Sequence, residues 1–258
     1  MRTVAIVSYL ISMSFALTAF AQSEGIQATV ASEVIAPRET RPIEMNTAAK
    51  VVLAEGNVSI FDAVNQSNEV KVGDVISEGD LLITGNDGEL HLQMDDGGYI
   101  ALRPNTKMRF TSYQARGLDS DNSIISLFHG SLRAISGWIG KFNQPKYAIT
   151  TPTATIGLRG TDHEPMVIPQ GATDTDAEPG TYDKVNIGSS TITSSAGMTE
   201  IMSGQAGFAG HDRNVPRLLK DTPTFYRVHR NEKLLNGKHD AIQQVIVELR
   251  DARRVANE

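Results

Sequence analysis

Residues 146–164 of this 258-residue chain, KYAITTPTATIGLRGTDHE, are predicted to form two short strands that meet at a bend. Thr151 precedes a proline and is therefore expected to be extended, and Pro152 has no amide hydrogen to donate to a neighbouring strand. Beyond the bend, apolar side chains fall on one face, at Ala154, Ile156 and Leu158. Polar side chains fall on the other face, at Thr153, Thr155 and Arg159. Gly160 then provides a position where the backbone can turn or be approached closely.

The same pattern of short apolar runs and turns extends upstream and downstream of this stretch. Leu90, Leu92 and Met94 alternate with polar residues, and their run ends at the turn Asp95-Asp96-Gly97-Gly98. From Ala49 onwards such runs recur roughly every ten residues, separated by turns rich in Gly, Asn and Asp. This spacing is typical of all-β folds. We therefore predict short antiparallel strands in a rolled sandwich or a solenoid-like stack.

One amphipathic helix is predicted near the C-terminal end, over residues 241–255. Its apolar side chains recur at helical spacing, at Ile242, Val245, Ile246 and Leu249. A helix of this length is marginal on its own and must pack against something. Two hypotheses follow: this face packs on the β body, or it binds a partner protein.

The pattern divides the chain into five segments. We predict a signal peptide at 1–21, a leader at 22–48 and the main β domain at 49–168. A loop and a second β unit packed on that domain follow at 169–210, and a strap with the helix at 211–258.

Residues 1–21 carry the features of an export signal. Arg2 precedes the uncharged run Val4 to Phe20, and Ala19-Phe20-Ala21 is a small-x-small cleavage site. The alternative is an uncleaved membrane anchor, because about 17 apolar residues can just span a bilayer. The cleavage site and the Ser and Thr residues in the run favour removal. No later stretch approaches membrane-spanning length, so we expect an exported, periplasmic protein without a transmembrane helix in its mature chain.

Composition excludes several classes of function. The chain has no cysteine, which excludes disulfides, thiolate zinc sites and a cysteine nucleophile. The formal net charge is −6, and residues 22–210 hold 23 acidic against 13 basic side chains, so nucleic acid would be repelled. The six histidines lack metal-ligand spacing, and no Gly-x-Ser-x-Gly nucleophile motif is present. We expect no bound metal or cofactor.

Four blocks of sequence resemble the FecR domain, the sensor module named after the iron-dicitrate regulator. They are VGD (72–74) with EGDLLITG (78–85), LQMDDGGYIALRPNT (92–106), FHGSLR (128–133) and TPTATIGLRGT (151–161). The resemblance implies an exported or membrane-anchored all-β module that is not an enzyme.

FecR-type regulators proper have further parts: a cytoplasmic anti-sigma segment, a transmembrane helix, and a C-terminal portion that receives a signal from an outer-membrane transporter. In this sequence a signal peptide replaces the first two, and the third has no convincing counterpart. The chain therefore resembles the stand-alone exported FecR-domain proteins, and the sigma-regulator role is not carried over.

Asp162, His163 and Glu164 form the most conspicuous group of candidate functional side chains. In an extended strand Asp162 and Glu164 face one way and His163 the other, so the three cannot converge locally on one metal ion. Arg159 is expected to form a charge-assisted pair with the carboxylate face. The favoured hypothesis is a structural corner that locks the strands. The alternatives are a ligand or metal site and a metal-assisted hydrolase.

Trp138, Phe142 and Tyr147 form an aromatic group with two interpretations. They either cap the β core or form a platform that stacks on a sugar ring. Among the acidic runs, residues 95–98 are predicted to be a hairpin turn and residues 119–123 a solvated loop. The whole pattern favours a non-catalytic envelope module that binds, scaffolds or senses, with an envelope protein or a glycan as partner. The alternative is a glycan- or small-ligand-binding module.

Overall fold

The computed structural model describes residues 46–62, 67–173, 176–212, 214–226 and 229–257. The predicted signal peptide (1–21), and the predicted leader up to residue 45, lie outside the described residues. Within the described part, fifteen strands form one continuous sheet. This confirms the prediction of an all-β fold.

The first eight strands are β1 (Thr47–Glu55), β2 (Val58–Phe61), β3 (Ser67–Glu69), β4 (Val75–Ser77), β5 (Leu81–Thr84), β6 (Glu89–Met94), β7 (Tyr99–Leu102) and β8 (Lys107–Gln114). The other seven are β9 (Asn122–Ile135), β10 (Tyr147–Thr150), β11 (Thr155–Ile168), β12 (Gly180–Ser194), β13 (Gly197–Met202), β14 (Ala206–Gly210) and β15 (Arg217–Leu218). The helices are α1 (Trp138–Phe142) and α2 (Lys238–Asn257), with 3-10 turns at Gln144–Lys146 and Glu232–Leu234.

The sheet rolls because its long strands change partners along their length. β9 pairs first with β8 and β10, and then with β7 and β11. β11 starts on β10 and continues on β9, while β12 follows its other edge. Among the described strand pairs, only β9 with β10 is parallel. β12 lies largely within the predicted second β unit, so both predicted β units share one sheet.

Three strands are longer than the sequence pattern predicted: β9 and β11 have 14 residues each, and β12 has 15. In β11 and β12 the continuity depends on Gly160 and Gly188, which have φ values of 57° and 83°. They lie side by side where the strand register shifts between Arg159 and Asp162. A Cβ on Gly188 would come within 2.5 Å of the Gly160 carbonyl oxygen. The predicted corner at 160–164 is therefore a bulge inside β11, and the strand does not end there.

The predicted bend at Pro152 is confirmed, since β10 ends at Thr150 and β11 begins at Thr155. The predicted alternation along β11 is also observed: Ile156 and Leu158 are buried, whereas Arg159 is exposed. These apolar side chains join a core inside the roll that receives residues from most strands. Its members include Leu82, Leu92, Ile100, Leu102, Phe110, Ile125, Leu132, Ile149, Val185 and Ile192.

Helix α2 extends the predicted helix by three residues at its start and two at its end. It packs over the turn between β6 and β7, with Ile242 and Ile246 buried. A Cβ on Gly97 would lie 3.2 Å from Ile246, which shows how closely the helix approaches this turn. No helix in the described ranges combines the length and the apolar character that crossing a bilayer requires.

Candidate functional site

Charged side chains line one side of five neighbouring strands, from β6 through β7, β9 and β11 to β12. We call this surface the charged face. It consists of Glu89, His91, Arg103, Arg133, Asp162, Glu164, Lys184 and Asn186. The strand period of two places alternate residues of each strand on the same side. Strand pairing then brings these short polar runs, distant in sequence, next to each other.

Arg133 is the central cation of the charged face. Its Nε donates to Asp162 Oδ1 at 2.8 Å and its Nη2 to Asp162 Oδ2 at 2.6 Å, which is a bidentate pair. Its Nη1 pairs with Glu232. Burial lowers the pKa of Arg133, but these two carboxylates outweigh burial and raise it.

The prediction that Arg159 pairs with the carboxylate face is wrong. Its side chain is exposed, and no ion pair among the described residues includes it. The bulge at Gly160 intervenes between Arg159 and Asp162. The partner of Asp162 comes instead from β9, 29 positions away in the sequence.

Glu164 completes the carboxylate pair of β11. Lys184 Nζ lies 2.9 Å from Glu164 Oε1, and Asn186 Nδ2 donates to both Glu164 Oε1 at 3.0 Å and Asp162 Oδ1 at 3.2 Å. Asp162 and Glu164 therefore share one face, as predicted. Burial raises the pKa of Glu164, but the hydrogen bonds from Asn186 and Lys184 and the charges of Lys184 and Arg133 leave it below its usual value.

Arg103 connects the charged face to β6. Its Nη1 lies 3.2 Å from Glu89 Oε1 and its Nη2 lies 2.6 Å from Glu232 Oε2. Glu89 Oε1 also accepts from His91 Nε2 at 2.6 Å. Burial raises the pKa of Glu89, and the contributions of His91, Arg103 and Asn231 exceed that effect and lower it.

The segment before α2 covers the charged face. Glu232 contacts both arginines, and Asn231 Nδ2 donates to Glu55 Oε2 and Glu89 Oε2, each at 3.2 Å. Leu235 is buried in the main core. Sequence reasoning missed Glu232 as a site residue, because a single glutamate in a polar segment carries no local signal of a partner 99 to 129 positions away.

His163 belongs to a different, fully buried group on the opposite face of β11. Its Nδ1 lies 2.8 Å from Asp183 Oδ1, and Ser190 Oγ donates to Asp183 Oδ2 at 2.6 Å. The serine therefore contacts the carboxylate rather than the imidazole, which is not the order of a nucleophilic triad. Because His163 faces away from Asp162 and Glu164, these three predicted site residues do not converge.

Of the two interpretations of the aromatic group, the structure supports the cap on the β core and contradicts the stacking platform. Trp138 is 2% exposed, and its Nε1 donates to Asp121 Oδ2 at 3.0 Å. Asp121 is itself buried and accepts from the backbone amides of three residues, Arg116, Gly117 and Leu118. The prediction of a fully solvated loop at 119–123 therefore fails at Asp121. Tyr147 is also buried and Phe142 is exposed, so Trp138 and Tyr147 belong to the core and the three rings do not form a stacking surface.

The predicted apolar face of α2 is divided between core and solvent. Ile242 and Ile246 are buried, whereas Val245 and Leu249 are each 45% exposed. The helix thus packs on its own β body, which was the first of the two hypotheses. Val245 and Leu249 remain available at the surface.

A cleft of about 660 Å³ opens beside Arg103. Its apolar wall includes Met166, Ile168 and Phe225, and His129 and His229 also line it. No acidic side chain lines the cleft in the described part of the chain. Burial, followed by the charge of Arg103, lowers the pKa of His229. The cleft is concave, partly apolar and bordered by a few polar groups, as ligand-binding sites commonly are.

The central part of the chain is similar to a known family. Residues 80–178, which include β5 through β11, match the family model described as FecR protein. A search of curated proteins finds no match.

Two solved structures of a proposed anti-sigma factor from Parabacteroides distasonis ATCC 8503 are similar to this chain at 10% identity, with TM-scores of 0.42 and 0.41. The alignments cover 54% and 53% of this chain, and 58% and 57% of that protein. This chain thus spans little more than half the length of that relative. A cell surface anchoring domain aligns over 25% of this chain and 84% of its own length, at 22% identity and a TM-score of 0.24.

Proposed function

We propose that this chain, through its FecR domain, is a non-catalytic sensing or regulatory module of the cell envelope that acts by binding a partner protein. The predicted export signal at residues 1–21 supports the location. The match to the FecR family supports a sensing or regulatory role, because the resemblance implies a sensor module that is not an enzyme.

The cleft beside Arg103 is the observation that carries the binding role. The carboxylates and cations of the charged face pair with one another and with the segment before α2, so their partners in this structure lie within the chain. The cleft adjoins this network and is lined by apolar side chains, by two histidines and by Arg103. Such a combination suits a partner segment with an apolar side chain and hydrogen-bond acceptors.

Site-specific photo-crosslinking in cells tests this function. A photoreactive residue replaces Thr173, an exposed residue that lines the cleft, in the full chain at native expression. The matched control replaces Val72, which is 67% exposed and does not line the cleft. We expect a reproducible envelope protein attached at position 173 and not at position 72. If neither position captures a protein, or both capture the same ones, binding of a protein in the cleft is contradicted.

Binding of a small ligand is the second candidate, and the volume of the cleft favours it. Ligand sites commonly enclose about 300–1,000 Å³. The signature of this alternative is a small molecule that co-purifies with the chain in native mass spectrometry while position 173 captures no protein. Stacking of a glycan on Trp138 is not part of it, because that ring is buried.

A further inference from the structure

The segment over residues 230–238 lies on the charged face in the way a bound peptide would. Arg230 Nη1 lies 3.3 Å from Glu55 Oε2 at one end, and Lys238 Nζ lies 4.2 Å from the ring centroid of Tyr99 at the other. Between them, Glu232 is held by two arginines and Leu235 is 1% exposed. The sheet therefore accommodates a carboxylate and, three residues later, an apolar side chain.

The two arginines favour a carboxylate at this position, because Glu232 is the second carboxylate partner of each, beside Glu89 for Arg103 and Asp162 for Arg133. Arg103 is 2% exposed and the Arg133 side chain 12% exposed, so water cannot replace a lost partner fully. Without Glu232, one guanidinium nitrogen of each arginine loses its hydrogen-bond acceptor, and a buried donor without an acceptor is unfavourable. The site consequently selects an acidic group, whether this group comes from the same chain or from another.

Helix α2 is attached to the rest of the fold independently of this segment. The helix has its own attachments: Ile246 in the core, Arg250 Nη2 at 2.8 Å from Asp119 Oδ1, and Arg253 Nη1 at 3.1 Å from Asp95 Oδ2. Gly237 is the last residue before α2, and it has a φ of 73° and open space around the position of a Cβ. The remaining ion pair of the segment joins side chains that are 67% and 39% exposed, so it contributes little.

We propose that Glu232 is an internal stand-in for a carboxylate side chain on a segment of the partner protein. In the complex, a partner carboxylate binds Arg103 and Arg133, and an apolar side chain three residues later occupies the place of Leu235. The segment of the chain that covers the charged face is displaced. This inference rests on the proposed protein-binding function and names the chemistry of the partner: a short peptide segment that carries a carboxylate and, three residues later, an apolar anchor.

Peptide exchange tests the inference directly. The probe is a fluorescein-labelled peptide with the sequence of residues 230–238, RNEKLLNGK, and the control peptide has Gln in place of the glutamate. Fluorescence anisotropy measures binding to the wild-type chain, to Glu232→Gln and to the matched control Lys233→Gln, whose side chain is exposed in the same turn.

The Glu232→Gln chain should bind the probe at least about tenfold more tightly than wild type, because its internal competitor is weakened. Lys233→Gln should behave as wild type, and the Gln peptide should bind none of the three chains. Equal affinities for wild type and Glu232→Gln, or equal binding of both peptides, would overturn the proposal.

Hydrogen exchange covers the case in which Glu232→Gln does not fold. Excess unlabelled probe added to the wild-type chain should accelerate amide exchange in residues 230–237, and unchanged exchange refutes displacement. If both peptide assays fail but position 173 still crosslinks a protein, only the role of Glu232 is rejected and the proposed function stands. If position 173 captures no protein, the proposed function is rejected.

Discussion

At the scale of single residues, the partner of Asp162 is Arg133, which is distant in sequence, and not Arg159, which is near. Arg159 lies close to Asp162 in sequence but is exposed, whereas Arg133 reaches it across the sheet with two hydrogen bonds. Alternation along β11 was sufficient to predict that Asp162 and Glu164 share a face and that His163 opposes them. The partner could not be predicted, because it depends on the pairing of β9 with β11 and on the bulge at Gly160.

Replacing the two arginines separately tests this assignment. Arg133→Gln should lower the free energy of unfolding by about 3–5 kcal/mol, because it leaves the carboxylates of Asp162 and Glu232 without their shared cation. Arg159→Gln, the matched control, should change it by less than about 0.5 kcal/mol, as exposed substitutions commonly do. Urea unfolding followed by circular dichroism measures both. Similar losses in the two variants would show that Arg133 does not have this role.

At the scale of elements, the packing of α2 on the sheet depends on a few buried side chains. Ile246→Ala should lower the free energy of unfolding by about 2–5 kcal/mol, because it leaves a cavity between the helix and the turn at Gly97. Val247→Ala is the matched control, since Val247 is 46% exposed. Urea unfolding should place the control within about 0.5 kcal/mol of wild type. If the control loses as much, the helix is bound through a different face.

The predicted apolar face of α2 contains both core residues and surface residues, so only some of its positions can test partner binding. A substitution at Ile242 disturbs the core, so a loss of partner binding there would not identify an interface. Val245 and Leu249 are the positions of the predicted face that report on binding.

Elements with a clear period were predictable from the sequence, and those defined by distant contacts were not. The alternation in β6, the bend at Pro152 and the helical spacing in α2 each depend on residues close together in the chain. The long strands β9, β11 and β12 were predicted as shorter pieces because glycines usually mark turns. At Gly160 and Gly188 the glycines instead allow two strands to bend together. Helix α1 has five residues, too few for a periodic signal.

At the scale of the whole molecule, buried carboxyl groups give opposite dependences of stability on pH. Burial raises the pKa of Asp96 to about 6, against hydrogen bonds from the amides of Gly98 and Ile139 that lower it. The pKa values of Glu89 and Glu164 are lowered. A raised carboxyl pKa means that the folded state binds the proton more tightly than the unfolded state, so stability increases as pH falls through about 6. The two glutamates stabilise the fold above their unfolded pKa and lose that contribution as pH falls through their lowered folded values.

The pH of maximum stability should therefore lie on the acid side of neutral, and Asp96→Asn should remove much of this displacement. Between pH 7 and about 5, wild type should gain about 1 kcal/mol of stability relative to the variant, because Asp96 takes up its proton in the folded state near pH 6 and in the unfolded state only near pH 4. The asparagine keeps an oxygen that can accept from Gly98, so the turn under α2 should persist. Urea unfolding of both chains at several pH values from 4.5 to 7.5 gives the difference directly, and other titrating groups cancel from it. A difference that is constant across this range would show that Asp96 does not take up a proton in the folded protein near pH 6.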